Sequence, residues 1–371
     1  MKIFVDGTFY KASGIGRYYS NLLELIAEER SWKVITTVPK RLEEEWLREF
    51  GNYENITPLF VNYEKFNLNG FLRGGKILKE LEKECRVFWF PHINLPLYVP
   101  KNTIVTVHDL CPLTPWWDRS FLSKVIFARL LKRAVKTAEI IVVPSNFTKN
   151  ELLKRFPEAG NKVRVVYNFI SEKFFTEPKK DEKPLVEGDY ILFIGNRKKH
   201  KNVKNLVLAY SSIKDQFDCK LVIVGSRDKN RKEDEIDKLI KKLNLRDHVV
   251  QFENVSDEKL INLYKNAKLF VFPSFYEGFG LPPLEALACG CPVLVSNIPV
   301  FQEILNESIA RFDPSSIEDI REKILELLKD ERMRASLLQR SLDKISNFRK
   351  ETVKENMRRI VKLLSKESDQ M

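Results

Sequence analysis

The sequence has 371 residues, 43% hydrophobic and 31% charged, with a formal net charge of +12. A chain of that length holds about two or three domains with cores of their own, and it contains no apolar run long enough to span a bilayer. The composition is that of a soluble globular protein and excludes a disulfide-built scaffold: five cysteines lie scattered with no Cys-x-x-Cys pair, which points to a reduced, cytoplasmic compartment.

Met1-Lys2-Ile3-Phe4-Val5-Asp6 reads as a first strand, since it lacks the apolar stretch and cleavage site of a signal peptide. In the first half, strands are predicted over Lys2–Val5, Lys33–Thr37, Val87–Phe90, Thr103–Val107 and Glu139–Val143. In the second half they are Tyr190–Ile194, Lys220–Val224, Val249–Phe252, Leu269–Phe272 and Pro292–Val295. Short apolar runs alternating with helical stretches argue for an α/β protein whose parallel sheets are covered on both faces. Thr176 to Gly188, charged and punctuated by Pro178 and Pro184, reads as an exposed linker. The expected division is a first domain over 1–175, the linker over 176–188, a second domain over 189–346 and a C-terminal segment over 347–371. That last segment carries Val353, Met357, Ile360, Val361 and Leu364 on one helical stripe, opposite Lys354, Arg358 and Lys362. Such a stripe needs a docking surface, and either half satisfies it.

The charge is uneven. Residues 1–170 carry 26 Lys and Arg against 18 Asp and Glu, a net of +8, which leaves +4 for the remainder. A basic half suits an anionic partner, whether phosphorylated substrate, membrane surface or nucleic acid; a generally Lys-rich chain gives the same balance. Phe121 to Ala138 contains Lys124, Arg129, Lys132, Arg133 and Lys136 and no acid. At helical spacing these cations share one side with Leu122 and Val125, while Ile126, Phe127, Leu130 and Ala134 turn to the core. Basic residues interleaved with exposed apolar ones suit an anionic bilayer surface, and a plain solvated face fits equally.

Four places along the chain offer chemistry. Ser13-Gly14-Ile15-Gly16-Arg17 is a short G-x-G loop after the first strand, leading into an amphipathic helix. His108 and Asp109 stand at the carboxyl end of the Thr103–Val107 strand; His92, His200 and His248 are read as structural. Gly195-Asn196-Arg197-Lys198-Lys199-His200-Lys201-Asn202 follows the strand ending at Ile194, with Asn202 placed to cap the next helix. Cations beside a helix amino terminus form an anion seat, with Arg suited to gripping phosphate oxygens and Lys to supplying a compact charge. Last, Pro273-Ser274-Phe275-Tyr276-Glu277-Gly278-Phe279-Gly280-Leu281 turns from a buried strand into a helix that has Pro282 and Pro283 inside its start and Gly290 at its end. A glycine-rich turn of this kind aims backbone N–H groups and a helix dipole at an anion. Glu277 precedes that helix and Glu285 is expected in its first turn, where an acid is also favoured with no ligand at all.

Glu277-Gly-Phe-Gly-Leu-Pro-Pro-Leu-Glu285-Ala-Leu-Ala-Cys-Gly-Cys-Pro-Val, with the preceding Pro-Ser, resembles the E-x7-E signature of retaining glycosyltransferases of the GT-B fold, specifically glycosyltransferase family 4. The resemblance implies two Rossmann-like, doubly wound parallel-sheet domains facing a cleft, with the C-terminal helix crossing back onto the first. It implies transfer of a sugar from a nucleotide diphosphate donor to an acceptor hydroxyl with retention, a leaving phosphate oxygen taking the acceptor proton. On the family pattern Glu277 contacts the donor sugar, Glu285 the ribose hydroxyls, and Gly278, Phe279, Gly280 and Leu281 line the donor site. Lys201 matches the lysine that binds the diphosphate. The usual arginine position holds Asn196, so Arg197, one residue later, is the second choice. Gly14, Gly16 and Arg17 correspond to a loop beside donor phosphates and acceptor, and His108, in Val107-His108-Asp109-Leu110, to a histidine near donor sugar or acceptor. Asn168, in a segment that departs from the family's P-N-G, carries no role.

With Pro112, Pro115 and Ser145-Asn146-Phe147-Thr148, the Val-His-Asp-Leu segment looks most like bacterial mannosyltransferases of surface-polysaccharide assembly. GDP-mannose is then the expected donor and a glycan or lipid-linked oligosaccharide the acceptor, met at the inner face of the cytoplasmic membrane. No metal or other cofactor is expected, because no D-x-D pattern and no His/Cys ligand spacing is present. The rival readings are a UDP-sugar enzyme of the same fold, including a sucrose- or trehalose-type synthase, a silent sugar-nucleotide sensor, and a basic nucleic-acid-binding protein. The last lacks a recognition-helix or RNP-like pattern, and no nucleic-acid partner is expected.

Overall fold

The computed structural model describes residues 1–63, 68–176, 183–227 and 233–367. Residues 177–182, the middle of the expected linker, lie outside the described residues. Contacts divide the chain into two compact units: Met1–Leu113, Arg119–Phe169 and Lys350 onward form the first, and Thr114–Asp118 with Ile170–Arg349 the second.

The first unit runs β1 (Lys2–Asp6), α1 (Ser13–Ala27), β2 (Lys33–Pro39), α2 (Glu43–Phe50), β3 (Ile56–Val61), α3 (Leu68–Leu81), β4 (Val87–Phe90), β5 (Thr103–Thr106), α4 (Phe121–Thr137), β6 (Ile140–Val143), α5 (Asn146–Arg155) and β7 (Val163–Val165). Its seven strands are all parallel, in the order β3-β2-β1-β4-β5-β6-β7. Successive residues feed opposite faces: Ile3 and Val5 pack in one core, while Phe4 between them packs with Phe88 and Phe90 in the other. Burial on both sides is what an all-parallel sheet requires.

The second unit runs β8 (Asp189–Ile194), α6 (Val203–Ser211), β9 (Cys219–Val224), α7 (Glu235–Lys242), β10 (Val249–Phe252), α8 (Asp257–Asn266), β11 (Leu269–Phe272), α9 (Leu281–Ala288), β12 (Val293–Ser296), α10 (Pro299–Ile304), β13 (Ala310–Phe312), α11 (Ile317–Lys329) and α12 (Glu331–Ile345). Its six strands are parallel in the order β10-β9-β8-β11-β12-β13. The order reverses between β1 and β4 in one sheet and between β8 and β11 in the other. Open α/β sheets bind ligands at the carboxyl ends of strands flanking such a switch.

The final helix, α13 (Lys350–Glu367), belongs to the first unit. Its Val353, Met357, Ile360, Val361 and Leu364 join the core that holds Leu22, Leu23 and Trp46, so the stripe expected from the sequence is the docked face. On its polar side Lys350 bonds to Glu24 and Glu28, Lys354 to Glu28 at 2.6 Å and Arg358 to Glu29 at 2.6 Å.

Candidate active site

The loops that leave β8 and β11, on either side of the second sheet's switch point, are fastened to each other by their backbones. The Phe275 N–H donates to the His200 carbonyl at 2.8 Å. Asn202 is not the side-chain cap expected: its Nδ2 donates to the Pro273 carbonyl at 3.0 Å and the Pro314 carbonyl at 2.8 Å, tying three loops. Glycine is needed where these loops crowd. A Cβ on Gly225 would lie 1.8 Å from the Gly195 carbonyl oxygen, and one on Gly280, whose φ is +96°, would strike the Phe301 ring at 2.5 Å.

This fastening brings Lys201 and Glu277 together. Lys201 Nζ donates to Glu277 Oε1 at 2.6 Å, with the two side chains only 14% and 11% exposed. The ammonium also stands 5.1 Å from the centre of the Phe272 ring. Beside the pair, burial pushes the His200 imidazole down to about 4, in a field made by Glu277, Lys201, Lys198 and Asp118. Lys198 lies over the Trp117 ring at 5.7 Å, and Trp116 stacks face to face on Phe275 with ring centres 4.0 Å apart.

Arg197 does not join them. Its side chain is 1% exposed and donates to Asp237 at 3.0 Å, to Asp234 at 3.4 Å and to Gln251 at 2.6 Å. The second diphosphate cation expected from the sequence is therefore committed to a buried network that also takes in Arg227, which bonds to Asp237 and Glu253. Burial alone would raise the Asp237 carboxyl, but bonds from Arg227, the Asp234 N–H and Arg197 overcome it and hold it at about 2.

Helix α9 begins at Leu281 after Gly280, with prolines in its first turn, so Glu285 is its fifth residue and not a first-turn acid. Glu285 is 2% exposed and accepts the Tyr264 hydroxyl at 3.2 Å. Phe279 is buried with its ring edge on Phe348, while Gly278 is buried and Leu281 half-buried.

In the first unit, the expected G-x-G loop is the opening turn of α1: Gly14 is exposed with open space around it, and Gly16 is packed so tightly that a Cβ would meet the Phe9 carbonyl at 2.7 Å. Arg17 is half-buried on the same turn. His108 Nε2 lies 2.8 Å from the Pro91 carbonyl, which requires a proton on Nε2 and leaves Nδ1 an acceptor. Burial pulls its pKa below the ordinary value, and its ring meets Tyr18 edge-on at 4.8 Å.

Two residues that the sequence reading left as structural or unmarked sit at that sheet's switch point. Asp6 ends β1, and His92 follows β4 by two residues. The Asn94 N–H donates to His92 Nδ1 at 3.2 Å, so Nε2 carries the proton and donates to Asp6 Oδ1 at 3.3 Å. Burial opposes ionisation of Asp6, yet the bonds from His92 and Thr8 more than offset it and keep the carboxyl below its usual range. The strand-end position that marked His108 marks both of them.

Helix α4 follows its expected facing at Ala134, which is buried, at Phe127 and Leu130, which are half-buried, and at Leu122, which is 66% exposed. Ile126, expected on the core side, is instead 47% exposed beside Phe121 at 80%, and Leu131 and Val135 complete the buried face. Arg133 is turned inward, donating to the Leu95 carbonyl at 2.6 Å and the Leu97 carbonyl at 2.9 Å. Among the described residues, no helix is long and apolar enough to cross a membrane.

Residues 12–174 match the family model described as Glycosyltransferase Family 4, and residues 174–342 match Glycosyl transferases group 1. The chain belongs to these glycosyltransferases. O-antigen chain mannosyltransferase RfbU of Salmonella typhimurium is 32% identical to it over 223 residues, 60% of this chain and 59% of that protein. O-antigen chain mannosyltransferase B of Escherichia coli is 25% identical over 370 residues, 91% of this chain and 93% of that one. The match thus spans less than two thirds of the first relative and nearly all of the second. Among solved structures, sucrose-phosphate synthase from Thermosynechococcus elongatus has a TM-score of 0.77 at 18% identity, covering 98% of this chain and 99% of that chain. That likeness shows the fold, and the glycosyltransferase has the GT-B class of two parallel-sheet units expected from its sequence.

Proposed function

We propose that this glycosyltransferase is a retaining hexosyltransferase that moves mannose from GDP-mannose to a hydroxyl of a glycan or lipid-linked acceptor in surface-polysaccharide assembly. The observation that carries the reading is the Lys201–Glu277 pair: loops 76 residues apart in sequence put one cation and one carboxylate side by side at a switch point. A nucleotide sugar presents those two groups with what they need, a diphosphate for the ammonium and sugar hydroxyls for the carboxylate. Lys201 and the backbone N–H groups of the glycine turn stabilise charge on the departing diphosphate, and such preorganised groups supply a large part of catalysis. Glu277 stabilises positive charge developing at the sugar ring. Glu285, set by the Tyr264 hydroxyl, is assigned to the ribose hydroxyls and needs an opening beside Tyr264 to admit them. His108, with Nδ1 as acceptor, is assigned to a hydroxyl of the donor sugar or acceptor; Gly14, Gly16 and Arg17 are assigned to the same neighbourhood.

Mannose is favoured because both relatives described above are named mannosyltransferases. Metal independence is favoured by the absence of a D-x-D pattern. The exposed Phe121, Leu122 and Ile126 on the acid-free helix α4 favour docking on an anionic bilayer, from which a lipid-linked acceptor would be taken.

The test follows nucleotide diphosphate release across a panel of GDP- and UDP-sugars, with and without acceptor lipid, in the presence of EDTA. GDP-mannose is expected to give the fastest acceptor-dependent release, EDTA to leave it intact, and Glu277→Ala to lower it by about a hundredfold or more. Release that survives Glu277→Ala unchanged sinks the site, and a UDP-sugar preference hands the reading to the rival donor class.

A further inference from the structure

In the β8 loop Arg197, Lys198 and Lys201 are already engaged by the protein. Arg197 is closed in with Asp234 and Asp237, and Lys198 sits over the Trp117 ring. Lys201 alone is engaged by a carboxylate assigned to the substrate, Glu277, at 2.6 Å and with little water around either group. A buried pair of this kind is expensive to break in one direction only: removing one partner strands the other's charge.

A diphosphate arriving at Lys201 therefore meets an anion already in place. The phosphate oxygens must take the ammonium from Glu277, and Glu277 is left ionised beside a polyanion. A sugar attached to the diphosphate relieves that conflict, because its hydroxyls donate hydrogen bonds to the freed carboxylate. The free nucleoside diphosphate has no such donors to offer. From this we infer that Glu277 is a specificity-determining residue as well as a sugar contact: it competes internally for Lys201, and that competition makes the site favour a sugar-bearing nucleoside diphosphate over the bare one. The inference rests on the donor-site reading above and adds to it a role in expelling product. After transfer, loss of the sugar restores the carboxylate's claim on Lys201, and the diphosphate is pushed out. No bond is made or broken in this exchange; only the partners of one ammonium change.

The two readings part in a calorimetric experiment with GDP and UDP on the full chain. Glu277→Gln, which keeps the shape and deletes the charge, is expected to bind the bare diphosphate about tenfold more tightly than wild type, a change of about 1.4 kcal/mol. Lys201→Met is expected to bind it at least about tenfold more weakly. The wild-type preference for GDP-mannose over GDP should shrink in Glu277→Gln, and thermal melts establish that each variant is folded. Should Glu277→Gln fail to fold, Glu277→Asp, whose carboxylate is drawn back by one methylene, is expected to tighten GDP binding to a smaller extent. If Lys201→Met weakens binding while neither Glu277 variant strengthens it, the competition is refuted and the donor site stands. If Lys201→Met leaves binding unaltered, or neither diphosphate binds the wild type, the donor-site reading falls and this inference with it.

Discussion

Arg197 and Lys201 leave the same turn one helical step apart, and the fold treats them oppositely. Lys201 reaches the facing loop; Arg197 is drawn under it by two acids at the start of α7. Arg197→Met is therefore expected to cost about 3 kcal/mol in urea unfolding, since it leaves buried carboxylates short of a counter-charge. The effect has a pH signature. Asp237 is held at about 2, below its unfolded value, so its contribution is present above about pH 4 and is lost as pH falls through 2. Removing Arg197 raises that carboxyl, so the variant should unfold at a higher pH than wild type on acid titration. Unchanged stability with weakened GDP binding would return Arg197 to the diphosphate. Glu277, Lys201 and His108 are legible as candidates because each follows a readable strand, and the family resemblance gives each its expected role. Neither shows that Arg197 is captured, because Asp234 and Asp237 lie 37 and 40 residues away and only the fold joins them. The Asp6–His92 contact, 86 residues apart, was hidden for the same reason.

At the level of elements, the ten predicted strands are those with a dense apolar run, and the three that escaped, β3, β7 and β13, are all sheet edges. An edge strand has one neighbour, buries less and tolerates proline; β3 carries Pro58 and an exposed Thr57. Helix α13 is legible because its apolar stripe is complete; the stripe does not choose a docking partner, since either half has a sheet to cover, and only the family resemblance points to the first unit. Its attachment is expected to reside in that stripe more than in its ion pairs. Ile360→Ala, at a side chain 5% exposed, should cost about 2–5 kcal/mol in urea unfolding. Lys354→Ala, at a pair with partly exposed partners, should cost less than about 1 kcal/mol. A neutral Ile360→Ala would show that the helix does not rely on this face.

Across the whole molecule, charge is concentrated in the first unit's share of the sequence, and α4 displays part of it beside bare apolar side chains. Arg129, Lys132 and Lys136 are exposed on the same side of that helix, and each basic residue near an anionic membrane is worth about 1 kcal/mol. Reversing all three to Glu should reduce recovery with anionic liposomes on flotation by about tenfold or more, with little recovery of either protein on neutral ones. Equal recovery would remove the bilayer as a partner. Arg133 is left out of the test because its bonds to the Leu95 and Leu97 carbonyls make it part of the fold. The first unit also has its chain interrupted by the second and includes a helix, α13, translated after it. A ribosome therefore makes all seven strands of one sheet early but releases that covering helix only after the other unit has emerged. Anyone recombining halves of related enzymes must accordingly cut twice, at about residue 170 and again at about residue 350, and let the tail travel with the opening half. A single-junction chimera would inherit a tail shaped for a stranger's core.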